Sequence, residues 1–412
     1  MSTSPADIAA RETKNVPRSP MIDIFILTAA RLGVNAARRF AYPFQPAISR
    51  ELGVSIETVQ NVTALQAGMG VSSPFFGVLS DRFGRKRMML GAMLLMAVGA
   101  AAGVIAPTFG IYFIVMLMFG FGKMIFDPAM QAYIGDRIPY ERRGMALGIA
   151  ELSWAGSLIL FAPIAGWLFE VSTLRAVFAV LGVTLLTFAF VIWRRIPADS
   201  RSARPVSQDA DFEARGYDRT ARTVARLILR NPAAVALLGF ALFVSISNEV
   251  LFINYGTFME RSFGLMPAEL GLLTTVIAAA EICGEVLVIG ISDRFGKRRL
   301  AMLSGVIASI AYLVLPQLGS LWLAVGGIFV MFFAVETSIV ASFPLMTEVV
   351  PEARSMMIAT AGGAFSLGRL LGSLLGSRLY STTQDFTAIG IVSLVIGLLA
   401  PILLFLFVRH LD

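Results

Sequence analysis

The stretch Gly77-Val78-Leu79-Ser80-Asp81-Arg82-Phe83-Gly84-Arg85-Lys86-Arg87 occurs twice in this chain of 412 residues. The second copy is Gly290-Ile291-Ser292-Asp293-Arg294-Phe295-Gly296-Lys297-Arg298-Arg299, in which Asp293 stands 212 positions after Asp81. The same offset, without a gap, relates three more pairs: Asp136 and Glu348, Pro139 and Pro351, and Arg142 and Arg354. An offset of half the chain that persists over such a distance indicates a duplicated structural unit. Each copy is a short basic turn between long apolar segments.

The composition indicates that the solvent of this chain is lipid. Hydrophobic residues make up 57% and charged residues 15% of the sequence, and the mean hydropathy is +0.76. A soluble domain carries about 25% charged residues. The sequence therefore predicts a polytopic membrane protein.

The positive net charge of +7 raises the question of a nucleic-acid partner. The basic residues, however, concentrate in the termini and in alternate loops on one side of the membrane. The basic residues in the opposite loops are Arg50, Arg175, Arg261 and Arg378. This asymmetry is the positive-inside rule, and it predicts an inner-membrane protein with both termini in the cytoplasm. We expect a lipid bilayer and no nucleic acid as partner.

At the duplicated stretch the sequence resembles a known family. The pattern Gly77-x-x-x-Asp81-Arg82-x-Gly84-Arg85-Lys86 is similar to the signature loop between the second and third helices of the major facilitator superfamily. A weaker copy between helices eight and nine is also typical of that family. The resemblance extends from about residue 21 to 408. It implies an all-α protein with twelve transmembrane helices in two pseudo-symmetric six-helix bundles, substrate bound between the bundles, and alternating access.

Twelve apolar stretches are long enough to cross a hydrocarbon core of about 30 Å. They are 21–46, 56–79, 88–106, 110–134, 144–169, 173–193, 233–257, 268–291, 300–318, 321–347, 355–380 and 384–408. We expect a disordered cytoplasmic N-terminus (1–20), an N-terminal six-helix bundle (21–193), a cytoplasmic linker with an amphipathic helix (194–232), a C-terminal six-helix bundle (233–408) and a cytoplasmic tail (409–412). In the linker, five arginines share one predicted helix face: Arg215, Arg219, Arg222, Arg226 and Arg230. This helix is either an ordinary solvated linker or a lipid-binding latch.

The family resemblance also implies a charge cluster at the cytoplasmic gate. There the loop aspartate and arginine contact an acid at the inner end of helix four, and this contact holds the gate shut. The matching residues are Gly77, Asp81, Arg82, Gly84, Arg85 and Asp136 in the first copy, and Asp293, Lys297 and Glu348 in the second. Lysine cannot make the two-pronged hydrogen bonds of arginine, so we expect the second cluster to be weaker.

Ionisable residues at membrane depth are costly and usually functional. We predict a cavity in which a basic wall of Arg31, Arg38, Arg39 and Lys123 faces an acidic wall of Glu249, Glu281 and Glu336. This cavity suits a substrate with an anionic or zwitterionic head. The candidate substrate-binding residues are Arg31, Asn35, Arg38, Arg39, Lys123, Asn248, Glu249 and Arg369. The stretch from Arg39 to Pro46 contains two prolines, which we expect to bend the outer end of helix one.

The candidate proton-coupling residues are Asp127, Glu151, Glu281, Glu285 and Glu336. Glu281 and Glu285 are one helical turn apart, and two desolvated carboxylates this close favour holding a proton. The alternative for them is pairing with Arg369. For Lys123, Asp127 and Glu151 the alternative is a satisfied internal salt bridge.

The function that we predict is secondary active transport, with proton-coupled efflux of an amphipathic or lipid-like small molecule preferred. Pro163-Ile164-Ala165-Gly166 resembles part of a motif of the family's exporters, which favours this direction. The alternative is a proton-coupled importer of an organic anion, and a membrane-embedded receptor or enzyme ranks lower. The single cysteine and single histidine offer neither a catalytic constellation nor a metal site, so we expect no cofactor and no enzyme. One chain supplies both bundles, so we expect a monomer.

The gating role predicted for Asp81 can be tested by Asp81→Asn, which keeps the size of the side chain and removes its charge. We expect normal expression and impaired transport, because the cytoplasmic cluster loses its anion. Asp293→Asn in the weaker copy is the matched control and should have the smaller effect. Transport by Asp81→Asn at the wild-type rate would contradict the gating role.

Overall fold

The computed structural model describes residues 20–72, 76, 79–80, 82–138, 140–197 and 221–408, and the regular structure in these ranges is helical. The fifteen α-helices are α1 Pro20–Arg39, α2 Gln45–Leu52, α3 Ile56–Gly68, α4 Arg85–Ile105, α5 Phe109–Arg137, α6 Tyr140–Val171, α7 Leu174–Arg195, α8 Ala221–Arg230, α9 Pro232–Phe252, α10 Tyr255–Phe263, α11 Pro267–Phe295, α12 Lys297–Val314, α13 Leu321–Val349, α14 Arg354–Thr383 and α15 Phe386–Phe407. The predictions for residues 1–19, 198–220 and 409–412 lie outside the described residues.

Among the described residues, ten helical segments are long and apolar enough to cross a membrane. The remaining two of the twelve predicted spans are the first two, 21–46 and 56–79. In the first, α1 ends at Arg39, residues 40–44 form a turn, and α2 resumes with Pro46 in its first turn. The bend expected from the prolines is therefore confirmed. In the second, the 13-residue α3 continues into a 3₁₀ turn at Met69–Ser72.

The packing of the helices repeats between the two halves of the chain. In the first half, α4 packs on α5 and α7, and α1 packs on α6 and α7. In the second half, α12 packs on α13 and α15, and α9 packs on α14 and α15. This equivalence confirms the predicted fold class of two pseudo-symmetric bundles. The halves meet along two helix pairs, α6 with α11 and α3 with α14.

The sequence repeat is also a repeat of geometry. Gly84 and Gly296 end the two basic turns with φ of 94° and 92°, a left-handed conformation that side chains rarely adopt. Arg85 Nε lies 3.0 Å from Asp136 Oδ2, and the equivalent Lys297 Nζ lies 3.5 Å from Glu348 Oε1. The second pair is longer and more exposed. We call the end of the molecule that carries these turns the basic end and the opposite end the far end.

The described part of the linker is a short helix anchored to the second bundle. Ile228 of α8 is buried against α9, whereas Arg226 and Arg230 are exposed. Asn231 caps α9 by accepting hydrogen bonds from the amides of Ala233 and Ala234, and it donates to the Val349 carbonyl. The amphipathic helix is present, but Arg215 and Arg219 of the predicted arginine face lie outside the described residues. The choice between a solvated linker and a lipid-binding latch stays a prediction.

Small residues allow α14 to lie directly on α9. A Cβ at Gly368, Gly372 or Gly376 would meet a carbonyl oxygen of α9 at 2.6, 2.6 or 2.3 Å, belonging in turn to Leu242, Ile246 and Val250. Three glycines spaced by four residues therefore match three successive turns of the neighbouring helix. Close backbone approach of this kind drives helix association in lipid, where burial of apolar surface gives little.

We expect Gly372→Ala to destabilise the second bundle, because its new methyl group meets backbone that cannot move aside. The cost of such overpacking is about 1–3 kcal/mol and exceeds the gain of about 1 kcal/mol in helix propensity. The matched control is Gly362→Ala on the same helix, where a Cβ meets nothing within 4 Å. Thermal unfolding of the purified variants in detergent should show a lower Tm for Gly372→Ala only. Equal Tm values would contradict the packing argument.

Candidate functional site

A cavity that is partly open to solvent lies between the two halves of the chain. Helices α1, α6, α9, α11, α13 and α14 and the turn at 40–44 supply its wall. The lining residues are Arg38, Arg39, Tyr42, Trp154, Asn248, Glu249, Phe252, Glu281, Phe332, Val335, Glu336, Ile339 and Arg369. Three arginines and three glutamates therefore face one space lined elsewhere by apolar side chains.

The strongest contact across this cavity is a buried ion pair between the halves. Arg39 of α1 donates to both carboxylate oxygens of Glu281 on α11, with Nη2 at 2.6 Å from Oε1 and Nη1 at 3.2 Å from Oε2. The two side chains are only 4% and 5% exposed. Arg39 Nη1 also donates to the Trp154 carbonyl at 3.0 Å. A bidentate arginine pair is directional as well as strong, so it fixes α1 and α6 relative to α11.

Trp154 brings cations from both halves together. Its ring lies 4.0 Å from the Arg39 guanidinium, 5.4 Å from Lys123 Nζ and 5.5 Å from the Arg369 guanidinium. An aromatic face attracts a cation within about 6 Å. Sequence reasoning missed this residue because one tryptophan in an apolar helix carries no signal. Trp154 follows Glu151, a residue at membrane depth, by three positions on the same helix. The two side chains therefore share a face, and this is the signal that could have identified Trp154.

The opposite wall holds a second contact between the halves. Tyr42 donates its hydroxyl proton to Glu249 of α9, and Ser373 of α14 donates to the same carboxylate oxygen at 3.1 Å. The Tyr42 ring stacks on Phe252, with 4.6 Å between the ring centroids. The neighbouring Asn248 Oδ1 is buried and receives no hydrogen bond from the part of the chain that the structure describes.

Three of the predicted substrate-binding residues lie in a separate charge cluster inside the first bundle, together with the predicted proton-coupling residues Asp127 and Glu151. Arg31 lies 3.1 Å from Asp127 and 2.9 Å from Glu151, and Lys123 lies 2.6 Å from Asp127. Asn35 accepts a hydrogen bond from Lys123. Arg31, Asn35 and Lys123 thus do not line the cavity in this structure, because the acids of their own bundle hold them. This arrangement corresponds to the internal salt bridge named as the alternative above.

Several ionisable groups near the cavity have no ionic partner among the described residues. Arg38 donates one hydrogen bond to Gln66 at 3.1 Å, and Arg369 only stacks on Trp154. Glu336 and Glu285 make no hydrogen bond and no ion pair within the described ranges. The alternative prediction was that Glu281 or Glu285 pairs with Arg369. Neither pair forms among the described residues, and Glu281 is paired with Arg39 instead.

Two further carboxylates lie on the helix pair that joins the halves. Arg39 contacts both Trp154 on α6 and Glu281 on α11, and one helical turn nearer the basic end α6 carries Glu151 and α11 carries Glu285. The two helices pack together. The Glu151 side chain is 48% exposed and lies 2.9 Å from Arg31 of its own half. The interface therefore carries ionisable groups on its basic side, beside the ion pair of Arg39 and Glu281.

The far end is closed by contacts between the halves. Gln60 donates to the Ile253 carbonyl and to Asn254 Oδ1, both at 3.0 Å. Three further polar contacts join Arg50 with Glu260, Glu57 with Arg378, and Glu170 with the Ala268 amide. The backbones also touch, since Cβ atoms on Gly256, Gly166 and Gly271 would meet the carbonyl oxygens of Pro43, Pro267 and Ala162. The cavity is thus separated from the far end by direct helix packing.

The predicted gating residues lie at the basic end. Arg85 and Asp136 are in contact, as are Lys297 and Glu348, and each pair lies within one half. Arg82 and Asp293 are exposed. Gly77 and Asp81 lie outside the described residues, so their gating role stays a prediction.

A duplicated helical bundle with a charged cavity between its halves is the architecture of a membrane transporter. The model of the Major Facilitator Superfamily matches residues 27–252 and 237–411. The chain therefore belongs to this superfamily and is a multi-pass membrane transporter, not an enzyme. Its transported substrates are small molecules, as in the rest of the superfamily.

The chain is similar to bacterial relatives over most of its length. The uncharacterized MFS-type transporter YceJ of Bacillus subtilis (strain 168) is 23% identical, over 84% of this chain and 86% of its own. Multidrug resistance protein 1 of the same strain is 24% identical, over 91% of this chain and 92% of its own. The solved structure of a bacterial homolog to the human lysosomal transporter Spinster, inward-facing and unoccupied, matches with a TM-score of 0.79 and 17% identity. That match covers 96% of this chain and 99% of the other, and it shows the shared fold.

We expect Arg39 and Glu281 to be energetically coupled. Arg39→Met or Glu281→Met should each lower Tm, because the remaining partner becomes a buried uncompensated charge. The double variant should lose less than the sum, with a coupling of about 0.5–3 kcal/mol.

The control for this coupling is Arg378 and Glu57, an exposed pair at 3.5 Å. Their substitutions should be additive within roughly 0.5 kcal/mol, since exposed pairs contribute little. Thermal unfolding of purified protein in detergent measures both cycles. Additive losses for Arg39 and Glu281 would contradict the coupling.

Proposed function

We propose that this transporter is a proton-coupled antiporter that exports an amphipathic small molecule by alternating access. The observation that carries the proposal is the buried pair Arg39–Glu281 between the halves, with two carboxylates beside it, Glu285 and Glu336, that have no ionic partner in the structure. A proton entering this acidic group changes the charge that holds the halves together. In this proposal the acidic residues at the cavity also bind the proton that drives transport.

The energies are of the size that such coupling needs. Removing the charge of one member of a buried ion pair costs about 3–5 kcal/mol. Moving a two-state equilibrium from 1:99 to 99:1 takes about 5.5 kcal/mol. Protonation that releases Glu281 from Arg39 therefore supplies a free energy of the order that such a shift requires.

The orientation follows from the distribution of charge. The positive-inside rule places the basic end and both termini in the cytoplasm of the inner membrane. In that orientation the closed far end faces outward. The efflux direction is supported by the name of the relative from Bacillus subtilis, Multidrug resistance protein 1. One chain provides both halves of the path, so we expect a monomer to be the working unit.

The second candidate is a proton-coupled importer of an organic anion. It is favoured by Arg38 and Arg369, two cavity arginines without a carboxylate within ion-pair distance. The importer would use the same residues and differ in the direction in which substrate and proton move relative to each other.

Proton flux in everted vesicles that contain the overproduced protein distinguishes the two candidates. With an acid-inside gradient read by a pH-sensitive dye, adding lipophilic cations, zwitterions and organic anions in turn should collapse the gradient for an exported class. No response to any compound, together with anion uptake into right-side-out vesicles, would replace the antiporter with the importer.

The role of the carboxylates is tested by the double variant Glu281→Gln with Glu285→Gln. We expect substrate binding or exchange to persist and gradient-driven accumulation to be lost, because the carboxylate whose protonation breaks the contact with Arg39 is gone. Glu269→Gln at the start of α11, outside the cavity, is the control and should accumulate substrate normally. Accumulation by the double variant at the wild-type level would contradict the coupling role, and failure to fold would assign the pair to structure.

A further inference from the structure

The cavity contains an acid and a base that face the same space without pairing. Glu336 on α13 and Arg369 on α14 both line it. Neither forms an ion pair or a hydrogen bond with any described residue, so their charged atoms are more than 4.0 Å apart. Two opposite charges held near each other but separated leave room for a group that contacts both.

A third unsatisfied group lies on the same wall. Asn248 Oδ1 is buried in the cavity lining and receives no hydrogen bond. A buried acceptor without a donor is unfavourable, and protein structures rarely keep one without a reason. Because an amide oxygen only accepts hydrogen bonds, its natural partner is an N–H or O–H donor of a ligand.

The remaining cavity charges are balanced. Arg39 and Glu281 neutralise each other, and Glu249 is held by two hydroxyl donors, from Tyr42 and Ser373. Arg38 and Arg369 then stand against Glu249 and Glu336, and both arginines act electrostatically on Glu249. A ligand that carries only an anion would leave Glu336 without a partner. A ligand that carries only a cation would leave Arg38 and Arg369 without a partner in the ligand.

We propose that the substrate is an amphipathic zwitterion with adjacent charges, of the α-amino-acid type, whose anionic group lies against Arg369 and Arg38 and whose ammonium group lies against Glu336 and Asn248. The apolar body packs on Phe252 and Phe332. This inference rests on the proposed transport function and narrows its substrate class. It also explains antiport in one step, because the ammonium group and a proton compete for the Glu336 carboxylate.

The test is isothermal titration calorimetry on the purified full-length chain, in which three related ligands are each measured against the wild type and two variants. The probes are biphenylalanine, its deaminated analogue 3-(biphenyl-4-yl)propanoic acid and its decarboxylated analogue 2-(biphenyl-4-yl)ethanamine, which share one apolar body. The variants are Glu336→Gln and Arg369→Gln. The controls outside the cavity are Glu269→Gln and Arg261→Gln.

We expect the zwitterion to bind at least about tenfold more tightly than either analogue, since each lost charge-assisted contact has this size. Glu336→Gln should weaken the zwitterion to the level of the deaminated analogue and leave that analogue unchanged. Arg369→Gln should do the same relative to the decarboxylated analogue. Three equal affinities, no binding of any probe, or equal losses for all three ligands in one variant would overturn the proposal.

The proton-flux assay separates this proposal from the function on which it rests. If the binding pattern holds but no probe moves protons, the coupling fails and the zwitterion site stands. If flux occurs with cations or anions but not with zwitterions, the antiporter stands and the zwitterion site fails.

Discussion

The bidentate contact between Arg39 and Glu281 is the constraint on which the arrangement of the two halves depends. It joins α1 to α11 at the level of the cavity, where both side chains are almost fully buried. A buried pair of this kind adds little net stability compared with apolar packing, but losing one partner is expensive. Losing either charge therefore removes a contact that favours this arrangement of the halves. The same guanidinium stacks on Trp154 and so ties α6 into the contact.

The two ends of the interface differ in their physical character. Toward the far end, α6 lies on α11 and α10 on the turn before α2 with backbone in direct contact, which only glycine permits at Gly166, Gly256 and Gly271. Toward the basic end, the same helix pair carries the carboxylates of Glu151 and Glu285, and Glu151 is paired with Arg31 of its own half. The interface is therefore held by backbone contact at the far end and carries ionisable groups nearer the basic end. In the proposed function, a proton or a cationic group that enters among these acids shifts the molecule between its two states.

The sequence predicted the fold because the duplicated residues have the same structural role in both halves. Gly84 and Gly296 share a left-handed conformation, and Arg85 with Asp136 repeats as Lys297 with Glu348. The sequence also identified the ionisable residues at membrane depth. It did not assign their partners, because helical spacing orders residues within one helix but not between helices 242 positions apart, as Arg39 and Glu281 are. For the same reason Arg31 and Lys123, predicted on the cavity wall, lie in a cluster of their own, and Trp154 was missed.

The most direct test of the account is the distance across the far end measured by electron–electron double resonance in nanodiscs. Spin labels at Ser172→Cys and Thr383→Cys, two exposed positions in opposite halves, are introduced in a Cys283→Ser background that lacks the one native cysteine. The account predicts one short distance with Arg39 and Glu281 intact, and a second, longer distance when Arg39→Met removes the pair. A distance distribution that does not change with Arg39→Met would contradict the claim that this ion pair stabilises the arrangement in which the far end is closed.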